Sequence, residues 1–191
     1  MIANTYGLFY QPVSAHLGVS LSSFTSVMIV YGVMSSIMFP FTNRILIKAN
    51  IRVLYGVAHA LFFLAYFLMG FYTKLWMWYV SFAVMGLCFA FCGSSLSPFL
   101  INRWFVKKRS TVLSLVTVIS AGVGIFITRI ASRIIADHGY KMAYYVIGIT
   151  AFLISVPLMV IFVRKDPSEM GLTPYGAEET VTEKKPAKFS A

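Results

Sequence analysis

Long apolar runs separated by short basic turns are the dominant pattern of this chain. A window of about 19 residues isolates five of them, at 22–41, 53–72, 76–101, 111–134 and 142–163. Each is close to the roughly 20 residues that a helix needs to cross the hydrocarbon core of a bilayer. Ahead of them, 2–10 is apolar but less than half the required length. It has no basic leading region and no small-residue cleavage site, so it does not read as a signal peptide. It reads instead as the outer end of a helix whose beginning is absent, a partial first helix over 1–11. After residue 163 the chain turns to Pro, Glu, Lys, Thr and Ala, which predicts a linker or tail over 166–191. The expectation is an all-α integral membrane protein: a helical bundle over 1–165 with five full spans and a truncated first helix.

Composition agrees with that pattern. Of 191 residues, 59% are hydrophobic, 16% aromatic and only 12% charged, where a soluble domain carries about 25% charge. The mean hydropathy of +0.79 puts lipid around most of the surface. Charge then adds a direction. No Asp or Glu precedes Asp137, while ten basic residues do. A net charge of +10 could suggest nucleic acid, but these bases sit in short turns between apolar runs, so no nucleic-acid partner is expected. Arg44, Lys48, Arg52, Arg103, Lys107, Lys108, Arg109, Arg164 and Lys165 fall on one set of turns, against Lys74, Arg133 and Lys141 on the other. The positive-inside rule turns the first set to the cytoplasm, with the C-terminal tail, and the turns at 12–20, 73–75 and 137–141 outward.

Candidate chemistry is sparse. No HExxH, GxSxG or phosphate-binding Gly-rich loop occurs, so no enzyme and no cofactor is expected, and any driving force is a solute or ion gradient. Cys88 and Cys92 share a helix face but lack further ligands for a metal, and read as packing residues. Arg129 lies inside an apolar run. A guanidinium at membrane depth is costly unless it faces a water-filled cavity or a partner, or snorkels to the interface beside Arg133 and Asp137. His59 could carry a proton or, as a neutral imidazole, bond to a neighbouring helix. Trp76, Trp78, Tyr79, Tyr144 and Tyr145 read as an interfacial aromatic belt. Gly86, Ala90, Gly93, Ser94 and Ser97, with Ser120, Gly122 and Gly124, are small enough to let helix backbones approach. Pro98 and Pro157 predict kinks.

Several stretches resemble the major facilitator superfamily. Asn102-Arg-Trp-Phe-Val-Lys-Lys-Arg-Ser followed by Ser120-Ala-Gly-Val-Gly124 is similar to the basic loop and small-residue helix between that family's fourth and fifth helices. His138-Gly-Tyr-Lys-Met-Ala143 resembles the motif that opens its sixth helix. Arg164-Lys-Asp-Pro-Ser-Glu-Met-Gly-Leu-Thr-Pro-Tyr-Gly176 and Tyr6-Gly-Leu-Phe-Tyr-Gln-Pro-Val-Ser14 resemble the oxalate/formate antiporter and monocarboxylate branch, at the start of the central loop and the end of the first helix. The likeness covers one half of a twelve-helix transporter. It implies a plasma-membrane, multi-pass secondary transporter of a small organic anion such as a mono- or dicarboxylate. It further implies three-plus-three inverted repeats and alternating access against a C-terminal six-helix half or a second copy. Its partners would be the lipid bilayer, a small-molecule solute and that second half. By the same resemblance Tyr6, Gln11 and Tyr31 line a cavity, and Arg44, Lys48 and Arg52 form a cytoplasmic gating loop. That loop departs from the family pattern: Ile47 stands where an Asp belongs and Asn50 where a Gly belongs. The reading from another class is a non-transporting remnant or structural membrane subunit.

Overall fold

The computed structural model describes residues 5–177, apart from the side chains of Gly93 and Ser94, so the expected packing of those two and any structure over 1–4 and 178–191 lie outside the described residues. The fold is helical throughout: α1 Tyr6–Leu17, α2 Leu21–Thr25, α3 Val27–Lys48, α4 Ile51–Leu68, α5 Leu75–Phe89, α6 Leu96–Trp104 and α7 Arg109–Phe162. In lipid the backbone has no water to bond, so intrahelical bonds are the only local way to satisfy it. Four continuous stretches are long and apolar enough to cross a membrane, at Leu21–Lys48, Ile51–Phe71, Leu75–Trp104 and Arg109–Phe162.

The last of these is 54 residues long, about 80 Å of helix, far more than the ~30 Å hydrocarbon core. It is divided at Gly139, whose φ of 81° and ψ of 166° lie in a region open essentially to glycine alone. A first arm over 109–138 and a second over 140–162 result, about 45 and 35 Å long. Contacts prove that the second arm turns back. The Trp104 indole donates to the Arg164 carbonyl at 3.3 Å, so the chain just before the first arm meets the chain just after the second. The glycine in His138-Gly-Tyr is thus the pivot between the two arms.

Sequence also explains the shorter breaks. Gly18 at φ 65° ends α1, its N–H reaching the Ala15 carbonyl. Ser20 and Asn50 cap α2 and α4, accepting from the Ser23 and Arg52 amides. A wide π turn over Ala90–Ser94 lies directly ahead of Pro98, which has no N–H to give the Ser94 carbonyl one turn back. Pro12 does not stop α1 at residue 11 as its chemistry suggested. The helix continues to Leu17 because Val13 and Ser14 are buried against the bundle, and tertiary packing outweighs one lost hydrogen bond. Even so, 12 residues give only about 18 Å.

Close backbone contact joins the helices. A methyl placed on Gly86 would lie 2.5 Å from the Tyr31 carbonyl, and one on Gly148 3.2 Å from the Phe67 Cα. These glycines seat α5 on α3 and the second arm of α7 on α4. Gly7, Gly32 and Gly122, in contrast, face open space. Among the aromatics expected in an interfacial belt, Trp76 is exposed, but Trp78 and Tyr144 are 0% and 2% exposed. The correction is one of helix phase: Trp78 turns inward onto Phe24 and Tyr144, at ring distances of 5.1 and 5.6 Å. Tyr145 reaches the Gly70 carbonyl at 2.9 Å.

Candidate functional site

Three groups of side chains carry chemistry, and the fold separates them. The first is a tyrosine cluster inside the bundle. Tyr6 on α1 meets Tyr31 on α3 and Tyr66 on α4 at ring distances of 6.3 Å each, and Phe82 on α5 at 5.6 Å. Four helices thus converge on one aromatic centre, with Phe9 and Tyr144 stacked 4.1 Å apart beside it. The hydroxyls of Tyr6 and Tyr31 are buried without a hydrogen-bond partner among the described residues. A buried, unbonded hydroxyl costs roughly 1–3 kcal/mol, so these oxygens are poised to accept a water or a polar ligand group. Tyr6 and Tyr31 are therefore brought together in the packed aromatic core of the bundle. Gln11 is not: it lies on the exposed side of α1, and its carbonyl accepts the Ser14 hydroxyl at 3.0 Å. Tyr66 escaped sequence reading because no local pattern links it to Tyr6; its only signal was the recurrence of aromatics along the buried face of α4, while Tyr144 on α7 was read as part of the interfacial belt instead.

His59 is buried, and its Nδ1–H donates to the Tyr55 carbonyl at 2.9 Å. The partner is the preceding turn of its own helix rather than a neighbouring helix.

The second group is Arg129, on the first arm of α7. This arm is the least covered helix of the bundle, with Ile125 and Phe126 each about 70% exposed. Arg129 is itself exposed, and no carboxylate pairs with it among the described residues. It does not join the tyrosine cluster.

The third group is the face where the nine clustered bases gather. Arg44 and Lys48 are exposed near the end of α3. Arg52 bridges two elements: its Nε donates to the Val163 carbonyl at 3.2 Å, and its guanidinium pairs with Glu169 at 3.3 Å. Arg103 pairs with Asp166 at 2.5 Å and covers the Phe99 ring at 4.8 Å. The Lys165 ammonium donates to the Ile47 carbonyl. The chain then makes a short 3-10 turn over Pro167–Met170 and runs to Tyr175, which accepts from Val106 N–H at 2.9 Å and donates its own N–H to Trp104 at 2.8 Å. The beginning of the expected tail is thus a strap across the ends of four helices. It brings an acid to this turn, Glu169, 117 residues along the chain from Arg52. Both ion pairs are about one-third exposed or more, so each is worth about 0.2–1 kcal/mol.

Between α3 and α6 on this face lies a cavity of about 400 Å³ lined by Thr42, Asn43, Ser95, Asn102 and Arg103 among others. Sequence reading missed it because its polar groups come from two distant helix ends.

No curated protein and no solved structure matches the chain. Residues 1–190 match the sequence profile of the Major Facilitator Superfamily, and with its multi-pass array of apolar helices the chain belongs to that family of membrane transporters.

Proposed function

We propose that this chain is the N-terminal six-helix half of a secondary transporter, with an incomplete first helix, and that it moves a small organic anion of the mono- or dicarboxylate class by alternating access against a second half. The observation that carries the reading is Arg129, a cation with no carboxylate partner among the described residues, on an uncovered apolar helix. With the first arm centred in the membrane, Arg129 sits about 8 Å outward of the middle and Arg133 about 14 Å. Arg133 is then interfacial, while Arg129 is deep enough to need an aqueous cavity or an anion. Arg pairs with carboxylates in a bidentate fork. The uncovered glycines at 7, 32 and 122 would let the opposing half approach closely.

A lone half has no opposing bundle around a central site. Reconstituted alone in liposomes, the chain is expected to take up no labelled oxalate, formate or lactate above empty vesicles, and a matching C-terminal half is expected to restore uptake. Robust uptake by the lone chain would replace this reading with a functional homo-oligomer. No uptake with either partner would favour a structural membrane subunit.

Orientation rests on nine bases against three. Lys107→Cys is expected to react with an impermeant thiol reagent only from the cytoplasmic side of the plasma membrane, and Lys74→Cys only from outside. Reaction of both from one side would reject this topology together with the cytoplasmic tail.

A further inference from the structure

The turn joining α3 to α4 holds a recess of about 430 Å³ whose charged lining is Lys48, Arg52, Lys165 and Glu169. A second groove, of about 480 Å³ and lined by Arg44, Ile45, Ile47, Lys48 and Ala49, adjoins it, because Lys48 and Ala49 line both. The two differ in character. The recess is cationic on balance, since three bases face one carboxylate and that carboxylate is engaged by Arg52. The groove is apolar along its floor, and Phe41, Ile47, Val53 and Val57 beside it are each about half exposed or more.

Their place in the fold gives this pairing its meaning. α3 ends at Lys48 and α4 begins at Ile51, and both belong to stretches long and apolar enough to span a membrane. The turn between them therefore lies at the bilayer surface, with the recess at headgroup height and the exposed isoleucine and valine side chains at acyl-chain height. Lys48 and Arg44 have no carboxylate partner among the described residues, and the Lys165 ammonium keeps two donors after bonding the Ile47 carbonyl.

We propose that the α3–α4 turn is a seat for one anionic phospholipid, its phosphate held by Lys48 and Lys165 with Arg44 at the edge, and an acyl chain laid over Ile45, Ile47 and Ala49. A soluble phosphate would satisfy the cations but leave the apolar groove wet, which is why the occupant is a lipid. Loss of the family acid at Ile47 has a consequence here: an aspartate there would repel a phosphate, whereas isoleucine extends the apolar floor. The seat is independent of the transported solute and stands or falls whatever the second half carries.

Phosphatidylglycerol titrated into the detergent-purified chain, with bound lipid read by native mass spectrometry, tests it. One phosphatidylglycerol is expected to be retained at concentrations where phosphatidylcholine is not. Lys48→Gln/Lys165→Gln is expected to weaken phosphatidylglycerol binding about thirtyfold, the factor for removing two bases from an anionic lipid surface. Lys48→Arg/Lys165→Arg is expected to retain it, and so is Lys108→Gln/Arg109→Gln, which removes the same charge from the same face outside the recess. Equal retention of both lipids, or unweakened binding by the Gln pair, overturns the seat. Displacement of phosphatidylglycerol by millimolar inorganic phosphate overturns the lipid in favour of a soluble anion. Should the Gln pair fail to fold, the Arg pair and the phosphate competition still decide.

Discussion

Gly86→Leu is expected to lower the melting temperature of the chain in detergent by about 5–10 °C. A Cβ at this position meets the Tyr31 carbonyl at 2.5 Å, the Met34 Cβ at 3.0 Å and the Tyr31 Cα at 3.2 Å. Two of those three atoms are backbone, so no rotamer change relieves the clash and α3 must move away from α5. Forcing volume into packed interiors costs about 1–3 kcal/mol and sometimes more, and at this chain length each kcal/mol is worth about 2–4 °C. The displacement would also separate Tyr31 from Phe82, now 6.3 Å apart, and open the aromatic centre. Gly122→Leu supplies the contrast. Nothing lies within 4 Å of its added carbon, so the melting temperature of the lone chain is expected to stay unchanged, whereas assembly with a second half is expected to weaken. Equal destabilisation by both substitutions would show that α3 and α5 do not meet at Gly86.

That contrast marks what the sequence alone could and could not convey. Apolar runs near bilayer length made the helical membrane architecture legible, because lipid leaves a backbone almost no alternative to the helix. Small residues were legible as packing positions, but not which of them are covered: Gly86 and Gly122 have the same composition-level meaning and opposite surroundings. Helix phase is the reason. The same limit moved Trp78 and Tyr144 from the expected interfacial belt into the core while leaving Trp76 outside. At the α3–α4 turn, Ile47 stood out as a departure from the family pattern. The carboxylate that pairs with Arg52, Glu169, was visible only as one acid just beyond Arg164-Lys165, since nothing in a linear pattern links the two. Tyr6 and Tyr31 were singled out through resemblance to a family; their convergence with Tyr66 is a product of three helices meeting, which no spacing encodes.

Arg129 is where the transport reading makes its sharpest demand on this half. In the completed transporter, Arg129→Ala is expected to raise the half-saturation concentration for an accepted carboxylate about thirtyfold or more, with unchanged membrane abundance. The magnitude follows from losing one partner of a desolvated, hydrogen-bonded charge pair, about 2–5 kcal/mol, where about 1.4 kcal/mol is tenfold. Abundance should hold because the side chain is exposed and unpaired within this half, so truncating it leaves no buried group without a partner. Arg129→Lys separates charge from geometry: an ammonium preserves attraction but not the planar fork, and only partial recovery is expected. A snorkelling arginine gives another result, since at the interface lysine serves as well as arginine and alanine costs little. The measurement is a concentration series of labelled oxalate, formate and lactate uptake for the three proteins at equal abundance. An unchanged half-saturation for Arg129→Ala with every accepted anion would remove the residue from the binding site and make it an anchor at the membrane surface. In that event a carboxylate-recognising cation would have to come from outside this arm, because Arg129 and Arg133 are its only Lys or Arg residues beyond the Arg109 start and Arg133 lies close to the end of the arm.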